Sequence, residues 1–331
     1  MISARAPGRV NLIGDHTDYL GGLVLPMAVD RAVSVEGDRG GDEVRLESES
    51  EPGTVVVPLE VERPEAVEPT WGRYVAGVVA ELRPSAGFDG RVWSTVPSGA
   101  GMSSSAALEV AVALALGFEG PPVELARLCQ RAEQRASGVP CGIMDQLTSV
   151  AGVAGHALRI DCSALAITPV SLPGDVVVVV VDSGEHRRLA QSGYAERRRQ
   201  AEEAQAVVGP LASATERDLD RLDDPLLRRR ARHVITENAR VDEFVRAITG
   251  GQLTAAGRLM VDSHASLRDD YEVSTPGLDR VVDRLCATPG VHGARLTGGG
   301  FGGCVVALTE PGALDEGWVV RPSGGATVDE P

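Results

Sequence analysis

Four short segments of the sequence gather residues that could bind or transfer phosphate. The first, the phosphate loop, covers residues 97–107 and reads Pro-Ser-Gly-Ala-Gly-Met-Ser-Ser-Ser-Ala-Ala. Its glycines allow the backbone to turn several N–H groups towards an anion, and its serines stand where a helix would begin. Serine hydroxyls can also donate to phosphate oxygens or bind Mg²⁺. The segment therefore predicts a phosphate-binding site, although a plain helix N-cap would use the same residue types.

A second glycine-rich segment, the glycine cluster, covers residues 297–303 and reads Thr-Gly-Gly-Gly-Phe-Gly-Gly. Its five glycines carry an entropic cost that a plain hairpin between two strands avoids. That cost indicates that a ligand or another chain segment approaches this backbone closely. A sharp turn packed against a neighbouring loop would satisfy the same pattern.

Residues 8–19, the acidic turn, place four polar side chains within ten positions of one another, namely Arg9, Asp15, His16 and Asp18. Such a density of hydrogen-bonding groups suits a ligand with many hydroxyls. Apolar residues on both sides indicate that the turn is anchored on a core, whereas an ordinary acidic loop would be solvated.

A single carboxylate, Asp145, stands in the otherwise apolar segment 140–146, where a helix is expected to open. A carboxylate in such surroundings needs a partner, and Arg9 is the natural candidate. Asp145 is therefore a candidate for the chemical step. The alternative is a structural aspartate at a helix N-terminus.

The absence of lysine narrows the chemistry, because all 32 basic residues are arginine. It excludes Walker-type phosphate loops, protein-kinase folds, Schiff-base enzymes and serine–lysine acyl enzymes, since each of these needs a lysine amine. The six histidines show no HExxH or paired-ligand spacing, which argues against a metal hydrolase.

The composition is that of a globular protein, with 331 residues, 43% of them hydrophobic, and a net charge of −15. The negative charge argues against nucleic-acid and membrane-surface partners, which need basic patches. The five scattered cysteines lack CxxC spacing and indicate neither disulfides nor zinc. Because no apolar leader or spanning segment is evident, the protein is expected in the cytoplasm.

The hydrophobic patterns predict the elements that position these segments. A helix over about 103–116 is apolar nearly all round and should be buried, and 176–181 reads as a strand buried on both faces. Short strands dominate the early chain, and helices alternate with strands in the second half, which indicates an α+β fold. We expect one domain over 1–172, a second over 173–321 and a flexible tail over 322–331.

Three segments, in order along the chain, resemble the galactokinase branch of the GHMP small-molecule kinase superfamily. The acidic turn with residues 22–26 resembles the galactokinase signature, the phosphate loop resembles the superfamily phosphate loop, and residues 294–304 resemble its third motif. The resemblance implies an S5-like N-terminal domain and a ferredoxin-like α+β C-terminal domain. ATP and sugar would meet in the cleft between them, galactose would be phosphorylated at its anomeric hydroxyl, and a monomer is expected.

The resemblance also implies roles for individual residues. Asp145 would be the catalytic carboxylate beside the anomeric hydroxyl, and Arg9 would keep it ionised and stabilise the transferring phosphoryl group. Sugar contacts would come from Asp15, His16, Asp18, Gly142 and Tyr194. Nucleotide contacts would come from Gly99, Ala100, Gly101, Met102, Ser103, Ser104 and Ser105, with Trp71 and Tyr74 on the adenine side. The cofactors would be ATP and Mg²⁺, the latter bound by Ser105 and Glu133.

Asp15 departs from the family pattern, which normally has glutamate at this position. The shorter carboxylate leaves the sugar specificity open, since an N-acetylhexosamine or pentose 1-kinase would use the same catalytic residues. A non-catalytic regulator that binds sugar and ATP is disfavoured by the intact serine and alanine run after Met102. Mevalonate and homoserine kinases, also GHMP members, are disfavoured by the acidic turn.

Overall fold

The computed structural model describes residues 1–97, 99–185 and 190–330, which form two α+β domains. The strands are β1 (Ile2–Asn11), β2 (Leu23–Val24), β3 (Pro26–Arg39), β4 (Glu43–Ser48), β5 (Thr54–Pro58), β6 (Phe88–Ser94), β7 (His156–Asp161), β8 (Ala166–Ser171), β9 (Val177–Asp182), β10 (Val291–Leu296), β11 (Cys304–Thr309), β12 (Trp318–Val320) and β13 (Thr327–Asp329). The helices are α1 (Gly72–Leu82), α2 (Ser104–Ala115), α3 (Pro122–Ser137), α4 (Met144–Ala151), α5 (Ala190–Val208), α6 (Pro225–Thr249), α7 (Leu253–Asp269) and α8 (Pro276–Cys286).

The first domain is built on a six-stranded sheet in the order β13-β1-β3-β6-β4-β5. Helices α1, α2 and α3 pack on this sheet and enclose an aliphatic core rich in valine and alanine. The predicted apolar helix corresponds to α2, which is buried nearly all round because it contacts β1 and β3 on one side and α1, α3 and α4 on the others. The start of α2 carries the phosphate loop, so the loop is fixed to the centre of the domain.

The second domain contains a four-stranded sheet in the order β10-β11-β9-β12, together with α5–α8. The predicted doubly buried strand corresponds to β9. Val178 and Val180 face a core shared with the first domain, whereas Val179 and Val181 face a core shared with the helices of the second domain. Successive side chains of a strand point to opposite faces, which explains why β9 is a continuous apolar run. Strand β9 therefore packs against both domains.

The early strands are longer than the sequence predicts, since β1 and β3 span 10 and 14 residues. Both contain alanine, glycine and proline, which have weak strand propensity, but pairing of β3 with both β1 and β6 overrides that preference. The predicted helices of the second half correspond to α5–α8, and the expected domain boundary falls between β8 and β9. No helix in the described part of the chain has the length and hydropathy needed to cross a membrane.

The prediction of a flexible tail over 322–331 is wrong for the residues that the structure describes. Strand β13 pairs antiparallel with β1, with Ser3 opposite Asp329, and Glu330 makes an ion pair with Arg39 over 2.6 Å. The glycine- and acid-rich composition suggested disorder, but the outer edge of β1 offers unpaired backbone groups that this segment satisfies. The end of the chain thus returns to the sheet of the first domain.

Candidate active site

A cavity of about 460 Å³ lies in the cleft between the two domains, which is a size suited to a small ligand. It brings together the phosphate loop, the acidic turn, the glycine cluster and the carboxylate at the start of α4, although these are far apart in the sequence. The predicted site residues that line it are Arg9, Asp15, His16, Asp18, Gly99, Ala100, Gly101, Met102, Ser103, Ser104, Ser105, Glu133, Gly142, Asp145 and Tyr194.

Arg9 and Asp145 form a two-point ion pair on the cavity wall. Arg9 Nε donates to Asp145 Oδ1 over 2.7 Å and Arg9 Nη2 donates to Oδ2 over 2.5 Å. The third guanidinium nitrogen, Nη1, donates to the Gly101 carbonyl of the phosphate loop over 2.7 Å. Burial lowers the pKa of Arg9, but the charge and hydrogen bonds of Asp145, together with the charges of Asp15 and Glu133, raise it above its usual value. A permanent cation therefore joins the carboxylate to the phosphate loop.

The phosphate loop connects β6 to α2 and lies beside this ion pair. Gly99 and Gly101 have φ values of +75° and +65°, which favour glycine. Ser103 has a φ of +53°, an unusual value for a residue with a side chain, and its hydroxyl donates to Asp145. The loop conformation therefore places a serine against the carboxylate. Ser98, also part of this segment, lies outside the described residues.

Ser105 and Glu133, the residues that the family resemblance assigns to Mg²⁺, lie together, with Ser105 Oγ donating to Glu133 Oε1 over 2.9 Å. The Gln146 side-chain amide donates to Glu133 and, over 3.2 Å, to the fully buried Glu109. Burial raises the pKa of Glu133 to about 7, with the charge of Asp145 adding to the effect, and burial raises the pKa of Glu109 well above its usual range. Ser105 and Glu133 face the cavity and offer oxygen atoms as metal ligands, the ligand type that Mg²⁺ prefers.

The acidic turn contributes Asp18 and His16 to the cavity. A Cβ added at Gly142 would lie only 1.7 Å from Asp18 Oδ2, so only glycine fits beside this carboxylate. Burial raises the pKa of Asp18 to about 6, and the charge of Asp145 adds to the effect. Burial also lowers the pKa of His16 to about 3, so its ring is neutral, and it packs 5.3 Å from the Tyr194 ring.

Asp15 is held by the second domain. Its Oδ2 lies 2.6 Å from Nη2 of the fully buried Arg295, and its Oδ1 accepts from the Gly298 N–H over 3.2 Å. Burial raises the pKa of Asp15, although the Arg295 charge opposes the shift. The short carboxylate therefore lies against β10 and the glycine cluster, at the edge of the cavity.

Trp71 and Tyr74 do not line the cavity. Trp71 precedes α1 and its indole N–H donates to the Pro52 carbonyl over 3.4 Å, while Tyr74 packs on the core of the first domain. Burial raises the pKa of Tyr74 to about 12, and the charge of Glu133 adds to the effect. Contact between these two rings and adenine stays a prediction.

Several charged residues in and around the site are not evident from the sequence motifs. Asp182, the last residue of β9, and Glu185 line the cavity, whereas Glu109 and Arg295 are buried charged residues inside apolar elements. The last two carry a sequence signal, because a charge within an apolar helix or strand must find a partner. Asp182 and Glu185 lie at and just after the end of a buried strand in an acidic chain, and such positions are too common to single out.

Three family descriptions match separate parts of the chain. Residues 2–39 match the galactokinase galactose-binding signature, residues 73–153 match the GHMP kinases N terminal domain, and residues 242–318 match the GHMP kinases C terminal family. The first match contains the acidic turn, the second contains the phosphate loop and the catalytic candidate, and the third contains the glycine cluster.

Relatives of known function agree with these matches. The chain is 44% identical to the galactokinase of Homo sapiens, over 94% of this chain and 84% of the human protein. It is 43% identical to the galactokinase of Chloroflexus aggregans, over 95% of this chain and 85% of that protein.

Solved structures extend the comparison to the fold. Lactococcus lactis galactokinase complexed with galactose superposes with a TM-score of 0.88 and 31% identity, covering 98% of this chain and 95% of that one. The mevalonate kinase of Methanococcus jannaschii shares the fold, with a TM-score of 0.69, 21% identity and 98% coverage of both chains. With two GHMP kinase domains, the galactose-binding signature and these relatives, the chain belongs to the galactokinase family of the GHMP kinases.

Proposed function

We propose that this enzyme transfers the γ-phosphoryl group of ATP to the anomeric hydroxyl of galactose, giving galactose 1-phosphate and ADP. The Arg9–Asp145 pair carries the proposal, because it stands between the phosphate loop and the acidic turn in one cleft. Phosphoryl transfer depends mainly on positioning and charge neutralisation, and both are available at that point.

The sugar occupies the side of the cavity formed by the acidic turn. Asp18 has a pKa of about 6, so at neutral pH it is largely a carboxylate that accepts hydrogen bonds from sugar hydroxyls. The Tyr194 ring and the neutral His16 ring form one wall. Because Gly142 has no side chain, the Asp18 carboxylate has room to lie beside it. A polyhydroxylated ring fits such a mixture of acceptors and ring faces.

Asp145 orients the anomeric hydroxyl and takes up its proton as the new P–O bond forms. Its two oxygens are fixed by Arg9 and Ser103, so the carboxylate does not have to reorganise during the reaction. Arg9 also reaches the phosphate loop, where it offsets negative charge on the transferring group. A loose transition state makes this orientation and charge balance more important than the strength of the base.

The triphosphate lies on the phosphate loop, whose backbone N–H groups and following helix dipole favour anions. Ser105 and Glu133 fit Mg²⁺, which proteins hold through one or two carboxylates plus substrate phosphates. The described residues include no cluster of three His, Cys, Asp or Glu side chains placed to hold a metal. Bound Mg²⁺ would neutralise charge on the phosphate oxygens.

Replacing Glu133 by alanine should raise the Mg²⁺ concentration needed for half-maximal activity by at least about tenfold, because a metal-binding carboxylate is lost. Galactose KM should stay within about twofold, since Glu133 lies on the nucleotide side. A Mg²⁺ titration at saturating ATP and galactose measures the first effect, and a galactose titration at saturating ATP and Mg²⁺ measures the second. Glu124→Ala, on the exposed first turn of the same helix, is the control. An unchanged titration for Glu133→Ala would leave this residue a structural role only.

Replacing Asp15 by glutamate should extend its carboxylate from the Arg295 side into the cavity. We expect the preference for galactose over 6-deoxygalactose, as a ratio of kcat/KM values, to change by about tenfold, because one hydrogen bond to a distal hydroxyl is altered. The assay compares both sugars, and a 2-amino derivative, in wild type and variant. If the ratio does not change, Asp15 does not touch the distal hydroxyl.

The substrate assignment is tested by ADP release from the purified protein with ATP, Mg²⁺ and a panel of acceptors. The panel contains galactose, glucose, N-acetylgalactosamine, arabinose and mevalonate, with an acceptor-free reaction as the background. Galactose should give the highest kcat/KM. Highest activity with the N-acetylated hexose or the pentose would favour the related sugar 1-kinases instead, and absence of turnover with every acceptor would favour the non-catalytic regulator.

A further inference from the structure

The second domain holds the backbone of the acidic turn through Glu237, a fully buried residue of α6. Its Oε1 accepts from the Gly14 N–H over 3.0 Å and from the Ser263 hydroxyl over 2.5 Å, and its Oε2 accepts from Arg240 Nε over 2.7 Å. Burial opposes ionisation of Glu237, but nearby positive charge, Arg240 above all, brings its pKa down to about 2. An ionised carboxylate with every oxygen occupied is thus anchored directly beneath the turn.

Two further side chains of α6 hold backbone groups that follow Gly14 in the chain. Asn238 Oδ1 accepts from the Leu23 N–H over 2.7 Å. His233 Nε2 lies 3.0 Å from the Asp15 carbonyl, and because a carbonyl only accepts, this ring nitrogen carries the proton. His233 and Glu237 are four positions apart and lie on one face of α6, and Asn238 directly follows Glu237. We refer to these three residues as the α6 clamp.

The acidic turn needs such support because its backbone conformation is unusual. Gly14 has a φ of +97°, and His16 has a φ of +64° even though it carries a side chain. A Cβ added at Gly14 would lie 2.7 Å from the Leu23 carbonyl, so the turn is packed tightly on the strand that follows. Residues held in sparsely populated conformations persist only where the surroundings fix them. The α6 clamp supplies two fixing contacts to the turn itself and a third to Leu23 of β2, against which the turn packs.

We infer that the residues of the α6 clamp are positioning residues for the sugar: they hold the acidic turn in the conformation that presents Asp15, His16 and Asp18 to the cavity. The clamp residues themselves do not line the cavity. This inference rests on the proposed function only in assigning galactose to the acidic turn; the mechanical part, in which α6 orders the turn, stands on the contacts alone. Sugar affinity in the first domain thereby depends on a helix of the second.

The test compares Glu237→Ala, Glu237→Gln and Asn238→Ala with the control Glu243→Ala, which removes a carboxylate from the exposed face of the same helix. Hydrogen–deuterium exchange of peptides covering residues 11–24 reports the order of the turn without any ligand. Steady-state kinetics then give KM for galactose, KM for ATP and kcat. If Glu237→Ala does not fold, Asn238→Ala alone tests whether α6 orders the turn.

We expect exchange within residues 11–24 to accelerate about 10- to 100-fold in Glu237→Ala and Asn238→Ala, because each leaves a buried N–H without an acceptor. Galactose KM should rise by a similar factor, while ATP KM stays within about twofold and exchange elsewhere is unchanged. Glu237→Gln keeps an acceptor and should recover most of the galactose affinity.

Unchanged exchange over residues 11–24 in both alanine variants would overturn the inference. So would faster exchange throughout the second domain accompanied by equal increases in both KM values, since that pattern indicates general destabilisation. If the wild-type enzyme turns over no galactose, the proposed substrate is wrong, yet the exchange measurement still decides whether α6 orders the turn.

Discussion

Replacing Asp145 by alanine or asparagine should reduce kcat for galactose phosphorylation by about 10²-fold or more while the protein remains folded. Arg9 and Ser103 fix the Asp145 carboxylate where the phosphate loop and the acidic turn meet. Asparagine retains the size of the side chain but cannot take up a proton at neutral pH. Initial rates at saturating ATP and galactose measure the loss.

Asp175→Asn is the matched control for this prediction, because Asp175 is exposed in the turn before β9 and does not line the cavity. It should keep wild-type kcat, and thermal unfolding should show that both asparagine variants are folded. If either Asp145 variant keeps more than about a tenth of wild-type kcat, the loss is smaller than a positioned acid–base group produces, and Asp145 has no part in the chemical step.

Replacing Arg9 by methionine should lower kcat/KM by about 10²- to 10³-fold, because the transition state loses a preorganised charged donor worth about 3–4 kcal/mol. Methionine fills much of the same space but cannot donate to Asp145 or to the Gly101 carbonyl. The Arg9 side chain is only 7% exposed, so water cannot replace these hydrogen bonds easily. The melting temperature should fall as well.

Arg9→Lys separates geometry from charge, since lysine keeps the positive charge but loses the planar two-point contact. We expect it to recover only part of the lost activity. Arg5→Met, on the exposed side of the same strand, should behave like wild type. Activity of Arg9→Met equal to that of Arg5→Met would mean that the ion pair is not used in catalysis.

Most of the residues that gather in the cleft carry local signals in the sequence. Two glycine-rich segments show where backbone must approach a ligand, and a lone carboxylate in an apolar segment demands a cationic partner. Arg9 and Asp145 are 136 positions apart, yet the need of a buried carboxylate for a cation was enough to pair them. The buried helix α2 and strand β9 could be predicted because their apolar patterns leave no solvent face.

The parts that could not be predicted depend on contacts between distant elements. The ion pair of Asp15 with Arg295 and the hydrogen bond of Gly14 with Glu237 join the two domains, and nothing near either residue in the sequence specifies its partner. Strand β13 forms only because β1 presents a free edge, so its composition alone suggested a flexible tail. Tertiary contacts of this kind override local propensity.

Identifying the product by phosphorus NMR tests most directly whether the enzyme transfers a phosphoryl group from ATP to the anomeric hydroxyl of galactose. The purified enzyme is incubated with ATP, Mg²⁺ and galactose, and the coupling of the new phosphate signal to the sugar protons gives the position of the ester. We expect galactose 1-phosphate, formed in an amount equal to that of ADP. A phosphate ester at any other carbon, or ADP formed without a sugar phosphate, would contradict this expectation.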